Sequence, residues 1–294
     1  MKKLLLIVNP YSGTKRIVRY LPDIIHLFRQ YGYENTVYMT AGQGDGSKIA
    51  AQRGADFDRI VCAGGDGTFN EVISGMLQAG LSIPIGYIPC GSTNDFATSL
   101  HLPKTIMKAA RCAMDCEPIS IDAGKFGERY FSYVASFGAF ARTSYATPQS
   151  VKNMLGHLAY ILGGIKDIPN IRPLHLKVQA EDVTFEDDYI FGAISNTTSL
   201  GGVMKLNAKH VDLNDGLFEL LLIKSPKDLS DLNECIRALG VQDYGSRMIT
   251  FCSASALQVS SPTPLDWTLD GEEAAGVTEA SVVNLKSAIS LCCP

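Results

Sequence analysis

Hydrophobic residues in the first 118 positions follow two alternating patterns, which together predict alternating strands and helices. Four short runs are strand-like, and three of them are almost continuously apolar, as is typical of parallel strands covered on both faces. These predicted strands are residues 3–9, 34–40, 59–63 and 83–89. Helical periodicity is found at residues 17–31, 46–53, 68–79 and 105–114. This order predicts an α/β domain with a parallel layered sheet and right-handed crossovers.

The pattern changes near Cys116, Glu117 and Pro118. After this point, strand-like runs separated by turns dominate, which predicts a mainly antiparallel β-sandwich or barrel. The predicted strands are residues 119–126, 129–136, 174–180, 184–187, 189–195, 218–224, 256–261, 265–269 and 288–292, with two helices at 150–167 and 225–239. We therefore expect two domains, residues 1–118 and 119–294, with the last residues able to return to the first domain.

The composition of this 294-residue chain is that of an ordinary globular protein, with 46% hydrophobic and 19% charged residues. The net charge of −4 argues against general nucleic-acid binding, which needs a basic face. The apolar run at residues 4–8 is too short for a secretory segment, and the run at 158–165 is too short to span a membrane. The eight cysteines form no C-x-x-C pair, which favours reduced and mostly buried thiols. A cytoplasmic protein without a transmembrane segment is expected.

Three glycine-bearing loops directly follow predicted strands, and they carry the main functional signal. The first glycine loop is NPYSG at residues 9–13, the second is GGDGT at 64–68, and the third is GSTND at 91–95. In open α/β sheets, ligands bind in the crevice beyond the carboxyl ends of the strands. We therefore expect the three glycine loops to face one ligand site.

The second glycine loop has the features of a phosphate-binding turn. Its glycines let backbone N–H groups approach an anion, and the helix that follows offers free N–H donors and a favourable dipole. Residues 68–71 (TFNE) predict a capping box at the start of that helix. Asp66 needs something to offset its repulsion from phosphate, such as magnesium or a hydrogen bond to a ribose or a loop N–H. The alternative is a purely structural tight turn before a capped helix.

Two common nucleotide-binding motifs are absent from the sequence. There is no GxxxxGK[ST] phosphate loop, and no GxGxxG follows the first strand. P-loop kinases and Rossmann dehydrogenases therefore do not fit. Residues 12–16 (SGTKR) add hydroxyls and two cations that suit a polyphosphate, although a solvated helix start is the simpler explanation of Lys15 and Arg16.

The three glycine loops and a late LDGE motif at residues 269–272 occur in an order and spacing that resemble the diacylglycerol kinase catalytic family. That family includes sphingosine and ceramide kinases and soluble bacterial lipid kinases. The resemblance covers nearly the whole chain, whereas GGDG alone also occurs in NAD kinases and phosphofructokinases. It implies an α/β domain like those of NAD kinases and diacylglycerol kinases. The implied reaction transfers the γ-phosphate of ATP to a lipid hydroxyl, with diacylglycerol converted to phosphatidic acid.

Carried over by position, the resemblance implies an ATP site and three acidic residues. The implied ATP-site residues are Asn9, Pro10, Tyr11, Ser12, Gly13, Thr40, Gly65, Asp66, Gly67, Thr68, Phe69, Asn70, Glu71 and Ser92. Glu272 matches the family's catalytic base, and Asp122 matches an acidic residue that supports the site together with Asp66. On the residues alone, the sequence DGEE at 270–273 indicates a turn.

The resemblance also implies a structural Mg²⁺ site at residues 212–217 (DLNDGL). The implied ligands are the Asp215 carboxylate and the backbone carbonyls of Asp212 and Leu217. Because the implied ligand at position 212 is a carbonyl, the Asp212 side chain can instead point to water.

The implied partners are ATP, Mg²⁺ and a lipid that the protein meets transiently at the inner face of a membrane. The apolar helical segment at 154–162 either borders an acyl-chain groove or forms a buried core helix, which is the simpler explanation. A homodimer is an open alternative for the assembly. The alternative functions are an NAD kinase-like activity, which residues 91–97 disfavour, and a silent nucleotide- or lipid-binding regulator, which the presence of Asp66 and Glu272 disfavours.

Overall fold

The computed structural model of the chain describes residues 1–138, 173–197, 199–200, 204–206 and 211–294. The predicted helix at 150–167, with its apolar segment 154–162, lies outside the described residues. The described chain divides into two compact units. The first unit comprises Met1–Ala123 and Leu285–Pro294, and the second comprises Gly124–Asn284.

The first unit is built on a parallel sheet. Its strands are β1 (Lys2–Val8), β2 (Tyr33–Met39), β3 (Arg59–Gly64) and β4 (Ile85–Pro89). Strand β1 lies between β2 and β3, with Leu6 opposite both Val37 and Val61, and β4 pairs with the far side of β3. The helices are α1 (Ile17–Gln30), α2 (Asp45–Arg53), α3 (Asp66–Gln78), α4 (Asp95–Ser99) and α5 (Ile106–Asp115), with a 3₁₀ turn at Gly54–Asp56. This is the parallel α/β arrangement that the sequence predicts.

The core of the first unit forms where helices cover the apolar faces of this sheet. Helix α1 buries Ile17, Ile24, Leu27 and Phe28, which recur at helical spacing and therefore form one apolar face. These side chains belong to a cluster that includes the sheet residues Leu4, Leu6, Val8, Val61 and Ile88 and the α5 residues Ala109, Ala110 and Ala113. The buried sheet fixes the strand ends from which the three glycine loops emerge.

The second unit is dominated by antiparallel pairing. Strand β5 (Pro118–Phe126) enters it from the first unit. The strands that follow are β6 (Arg129–Phe131), β7 (Val134–Gly138), β8 (Leu174–Ala180), β9 (Val183–Ser195), β10 (Ser199–Leu200), β11 (Met204–Lys205), β12 (Phe218–Lys224), β13 (Ile249–Ala254), β14 (Ala256–Leu269) and β15 (Glu272–Cys292), with helix α6 (Leu229–Val241) after β12. Trp267 is the largest fully buried side chain. The centroid of its ring lies 4.6 Å from that of Phe137 and 4.9 Å from that of Phe126.

Strand β15 contributes to both units along its length. Its residues from Leu285 onwards belong to the first unit, where Leu291 and Cys292 pair in parallel with Ile85 and Gly86 of β4. The parallel and antiparallel halves of the predicted fold are thus confirmed. No described helix is long and apolar enough to cross a membrane.

Several boundaries differ from the sequence prediction for local reasons. The two strands predicted at 256–261 and 265–269 form the single strand β14, because a bulge between Ser260 and Leu265 accommodates Pro262 and Pro264. The strands predicted at 184–187 and 189–195 likewise form one strand, β9. Helix α6 begins at Leu229 instead of residue 225, because the Asp228 carboxylate accepts the Asp231 N–H at 2.9 Å and caps the helix there.

The contact of α3 with α2 depends on a glycine. A Cβ at Gly75 of α3 would lie 2.1 Å from the carbonyl oxygen of Ser47 in α2. We expect Gly75→Ala to lower the free energy of unfolding by about 1–3 kcal/mol, because the helices must separate to admit the methyl group. Urea denaturation measures this change.

Gly240→Ala is the matched control, since Gly240 also lies in a helix, α6, and a Cβ there meets nothing within 4 Å. This control should stabilise the protein by about 0.5–1 kcal/mol through helix propensity. A stabilising Gly75→Ala substitution would show that the two helices do not depend on this close approach.

Candidate functional site

The first glycine loop is tied to the second by two side chains. The Asn9 side-chain N–H donates to the Thr68 hydroxyl at 2.9 Å, and the Asn9 side-chain oxygen accepts the Tyr11 N–H at 3.0 Å. The Ser12 hydroxyl accepts the Gly65 N–H at 3.2 Å. The turn after β1 is therefore held against the start of α3.

The three glycine loops also meet backbone to backbone. A Cβ at Gly91 would lie 2.5 Å from the Cα of Gly65, and a Cβ at Gly13 would lie 2.4 Å from the Cys90 carbonyl oxygen. Gly13 also has a φ of +52°, a region that favours glycine. A side chain at either position would push the loops apart, so the glycines are required for the observed packing. The structure brings together the three loops that the sequence predicts to face one site.

Asp66 is the residue that joins the second glycine loop to the third. It is the first residue of α3, and its carboxylate accepts the Asp95 N–H at the start of α4 at 3.0 Å. Burial raises the pKa of Asp66, while N–H groups of the third loop and the Tyr87 hydroxyl, 3.5 Å away, act to lower it. The Asp95 N–H is therefore a loop N–H of the kind that the sequence predicts as one possible partner of the Asp66 carboxylate.

The capping box predicted at residues 68–71 is wrong. Helix α3 begins at Asp66, with Gly65 as its N-cap and no side-chain cap. The Glu71 carboxylate instead accepts the N–H groups of Gly44 at 2.7 Å and Gly46 at 3.0 Å, at the start of α2. The oxygen of Thr68 contacts Asn9, as described above. Glu71 therefore satisfies the free N–H donors of a neighbouring helix, which local spacing cannot indicate.

The third glycine loop is closed by Asn94, which sequence reasoning did not single out. Its side-chain oxygen accepts the Gly91 N–H and its side-chain N–H donates to the Gly91 carbonyl, both at 2.9 Å. Asn94 adopts a φ of +54°, which asparagine tolerates better than most residues. The Ser92 side chain next to this closed turn is exposed.

A second carboxylate lies beside Asp66. Burial, and after it the negative charge of Asp66, raises the pKa of Asp95 to about 6. Two partly desolvated carboxylates therefore border the loop N–H groups. Asp95 belongs to the third loop motif, but its proximity to Asp66 is set by packing and has no signal in the sequence.

The other predicted ATP-site residues differ in exposure. The buried Thr40 donates its backbone N–H to Val8 at 2.8 Å, which places it at the end of β2 beside β1. Phe69 and Asn70 are buried in α3, and the Phe69 ring stacks on Tyr87 at 4.4 Å. Tyr11 is 66% exposed, so its side chain is available to solvent. Pro10 is half-buried, as is Gly67.

Glu272 is the first residue of β15, in the second unit. It follows a two-residue hairpin turn in which Asp270 and Gly271 both have positive φ, at 48° and 91°. The Glu272 carboxylate lies 3.9 Å from the Arg129 guanidinium and is partly exposed. The turn indicated by the sequence is therefore present, and it leaves Glu272 just beyond it.

Asp270 holds this turn in place. Its buried carboxylate accepts the N–H groups of Ser132, Tyr133 and Val134, the last two at 3.0 Å. Burial raises the pKa of Asp270 to about 7, and the three donors oppose that rise. Asp122 is fully buried in the first unit, where its carboxylate accepts the Ser287 N–H at 2.7 Å.

In the loop at residues 212–217, two aspartate side chains accept backbone N–H groups of the same loop. Asp215 accepts the Leu217 N–H at 2.8 Å, and Asp212 accepts the Asn214 N–H at 3.2 Å. Next to this loop is Glu219, which is 1% exposed and whose Oε2 has no hydrogen-bond partner among the described residues. Burial, followed by the charges of Asp215 and Asp212, raises the pKa of Glu219 to about 8.

Asn284 also borders this loop, since its side-chain N–H donates to the Leu217 carbonyl at 3.0 Å. Its Oδ1 is buried without a partner in the part of the chain that the structure describes. Across the described ranges, no group of three or more His, Cys, Asp or Glu side chains is arranged to hold a metal ion. A metal at residues 212–217 would therefore depend on backbone oxygens and water as well as on Asp215.

Comparison with known proteins covers the whole chain. The family model for the diacylglycerol kinase catalytic domain matches residues 3–126, and the model for the YegS C-terminal NAD kinase beta sandwich-like domain matches residues 133–291. The diacylglycerol kinase of Bacillus subtilis (strain 168) is 32% identical over 100% of this chain and 97% of the relative. That of Staphylococcus haemolyticus (strain JCSC1435) is 32% identical over 98% of this chain and 87% of the relative.

Solved structures show the same fold. The crystal structure of a diacylglycerol kinase from Bacillus anthracis str. Sterne matches with a TM-score of 0.79 at 20% identity, covering 100% of this chain and 97% of the other. Another structure from that organism matches with a TM-score of 0.85 at 21% identity over the same shares. Together with the β-sandwich-like family model, these likenesses confirm the predicted fold class.

The carboxylate pair predicts a pH dependence. Because the folded-state pKa of Asp95, about 6, lies above the ordinary value of about 3.9, ionising Asp95 costs folded-state stability as the pH rises from about 4 through 6. Asp95→Asn should therefore be more stable than the wild type at pH 7, by on the order of 1–2 kcal/mol, and this advantage should vanish near pH 4.

Thermal unfolding at several pH values between 4 and 7 measures this difference. Asp23→Asn, at an exposed position of α1, is the control and should show no such trend. A difference between Asp95→Asn and the wild type that stays constant with pH would contradict the assigned carboxylate interaction.

Proposed function

This chain belongs to the diacylglycerol kinase family and is a lipid kinase, and from that membership we propose that it phosphorylates the free hydroxyl of diacylglycerol with ATP to give phosphatidic acid. The observation that carries the proposal is the 32% identity with a curated diacylglycerol kinase over the full length of this chain. ATP use follows from membership of a kinase family. Diacylglycerol is proposed as the acceptor because the relatives are named diacylglycerol kinases.

We propose that ATP binds at the three glycine loops of the first unit. Their support is the backbone contact of Gly65 with Gly91 and of Gly13 with the Cys90 carbonyl, which leaves small residues where phosphate oxygens need close access to N–H groups. The start of α3 adds the positive end of a helix dipole. The proposed site also includes the other residues predicted from the sequence, which are Asn9, Pro10, Tyr11, Ser12, Thr40, Asp66, Gly67, Thr68, Phe69, Asn70, Glu71 and Ser92.

Two acidic residues of the first unit are proposed to support the chemistry. The Asp66 carboxylate fixes the third glycine loop through the Asp95 N–H and so positions the donors that face the phosphates. Asp122 is proposed to act with it, and its support is a fully buried carboxylate with a hydrogen bond to Ser287. Mg²⁺, when bound with ATP, offsets the charge that develops on the transferred phosphoryl group.

Glu272 is proposed as the catalytic base that removes the proton of the lipid hydroxyl. A hydroxyl is a poor nucleophile at neutral pH, and a positioned carboxylate typically contributes about 10²–10⁴-fold to such a transfer. The support from the structure is local: Glu272 follows a turn that Asp270 anchors by hydrogen bonds, and its carboxylate remains partly exposed. A fixed and accessible carboxylate suits this role.

The structural Mg²⁺ site at residues 212–217 is a further proposal. The Asp215 carboxylate and the carbonyls of Asp212 and Leu217 would be its ligands, with water completing the shell. Its support is the crowding of acidic groups at this loop: burial, and after it the charges of Asp215 and Asp212, raises the pKa of Glu219 to about 8, and a cation would offset that negative charge. Because the acceptor is a lipid, transient binding at the inner face of a membrane is part of the proposal. A homodimer stays a prediction.

Phosphoryl transfer from labelled ATP tests the proposed function directly. Mixed micelles with diacylglycerol, NAD in solution, and buffer alone are the three conditions, because the second family model is NAD kinase-like. We expect labelled phosphatidic acid in the first condition only. Labelled NADP would favour the NAD kinase alternative, and nucleotide binding without any product would favour a silent regulator.

The base assignment predicts a separation of turnover from binding. Glu272→Gln keeps the size of the side chain and one acceptor oxygen but cannot take up a proton, so kcat should fall by about 10²–10⁴-fold while the Kd for ATP stays unchanged. Steady-state kinetics and calorimetry measure the two quantities. Glu273→Gln, at the adjacent exposed position, is the control and should keep its turnover. An unchanged kcat for Glu272→Gln removes it from the role of base.

The proposed Mg²⁺ site predicts a metal-dependent stability. Without nucleotide, Mg²⁺ at 100 times its Kd adds about 2.7 kcal/mol to the folded state, which raises the Tm by several degrees. Asp215→Asn should lose this rise, whereas Asp182→Asn, in the exposed turn between β8 and β9, should keep it. Thermal scans with Mg²⁺ and with a chelator measure the effect. Equal Mg²⁺ responses in all three proteins would mean that Asp215 holds no such ion.

A further inference from the structure

Four of the eight cysteines gather in one part of the first unit. Cys112 and Cys116 lie at the end of α5, while Cys292 and Cys293 lie at the end of β15. The thiols are close enough for Cys292 and Cys293 to influence the pKa of Cys112. Cys116 in turn influences the pKa of Cys292 and of Cys293. The sequence predicts reduced and mostly buried thiols and does not indicate that these four lie near one another.

Cys112 and Cys116 are in direct contact, with their sulfur atoms 3.3 Å apart. Residues four apart in a helix lie on the same face, which brings the two side chains together. Helix α5 ends at Asp115, and Cys116 is its C-cap with an extended ψ of 138°. The Cys116 N–H still donates to the Cys112 carbonyl at 3.1 Å, so the two residues share the terminal turn of α5. The sulfurs must approach by about 1.2 Å to reach a bond of about 2.05 Å.

The four thiols differ in their exposure to solvent. Cys116 is partly exposed, whereas Cys112, Cys292 and Cys293 are buried. An oxidant in solution therefore meets Cys116 first. Burial, and after it the hydrogen bond with Cys116, raises the pKa of Cys112 to about 12, so Cys112 is a protonated and weakly nucleophilic thiol at neutral pH.

We propose that Cys112 and Cys116 form a redox-sensitive dithiol that hydrogen peroxide closes to a disulfide within the last turn of α5. The Cys116 sulfur attacks the peroxide, the O–O bond breaks, and an S–O bond forms to give a sulfenic acid and water. The Cys112 sulfur then displaces the hydroxyl group, which leaves as water with the Cys112 proton. Two thiols are thus oxidised and one peroxide is reduced to two waters.

A soft metal ion is the other ligand that a thiol cluster could take. The described cysteines are not arranged with other potential ligands to hold one, as noted above for the described ranges. The 3.3 Å sulfur contact therefore favours oxidation over metal binding.

Peptide mapping of the oxidised protein tests the proposal without reference to kinase activity. The folded, reduced wild type is treated with hydrogen peroxide, its remaining thiols are alkylated, and it is cleaved with trypsin. Cleavage after Arg111 and Lys125 releases residues 112–125, which contain both cysteines, and cleavage after Lys286 releases residues 287–294, which contain Cys292 and Cys293. We expect the first peptide to lose two hydrogens, to resist alkylation, and to recover both thiols after treatment with dithiothreitol.

Cys116→Ser should abolish the disulfide, and Cys252→Ser is the matched control because Cys252 is also partly exposed but lies in β13. The control should oxidise like the wild type, and circular dichroism checks that both variants are folded. Complete alkylation of residues 112–125 after peroxide treatment of the wild type would overturn the proposal. A cross-link between residues 112–125 and 287–294, or irreversible oxidation of Cys116 alone, would overturn it as well.

Discussion

The backbone contact among the three glycine loops is the constraint on which the candidate site depends. Gly91 packs against the Cα of Gly65, and Gly13 packs against the Cys90 carbonyl. Both contacts are so close that a Cβ atom on either glycine would clash with its neighbour. The parallel sheet brings β1, β3 and β4 side by side, and the loops therefore leave it at the same edge. The ties of Asn9 to Thr68 and of Asp66 to Asp95 then fix the loops at this spacing.

This packing has an electrostatic consequence. It places the carboxylates of Asp66 and Asp95 together beside the N–H groups at the starts of α3 and α4, where burial raises the pKa of both. An arrangement of N–H donors with a nearby carboxylate suits a nucleotide that carries a metal ion, because the donors meet phosphate oxygens and the carboxylate meets the cation. The same carboxylates lower the stability of the folded protein at neutral pH relative to acidic pH.

Much of the fold could be predicted from local sequence patterns. The strands at Leu174–Ala180 and Phe218–Lys224 have the predicted bounds, because alternating or continuous apolar residues between turn residues report burial directly. The bulged strand β14 could not be predicted as one element, since its two prolines indicate a break unless the partner strand is known.

The site was predictable only as far as its motifs are local. The three glycine loops were found from their letters, whereas the partners of Glu71 lie 25 and 27 residues away in another helix. Those partners depend on tertiary packing, which spacing along the chain does not encode. The bonds of Asn94 to Gly91 and the contact of Cys112 with Cys116 are different, because they join residues only three and four positions apart. Local spacing could have indicated both contacts.

The central claim is that the three glycine loops act as one nucleotide site. Hydrogen exchange of backbone amides, with and without Mg²⁺ and a non-hydrolysable ATP analogue, tests it most directly. We predict that peptides covering residues 9–16, 64–71 and 90–95 become protected from exchange together. All three should reach half-maximal protection at the same nucleotide concentration. Protection of one of these segments alone, or protection only outside them, would contradict the claim.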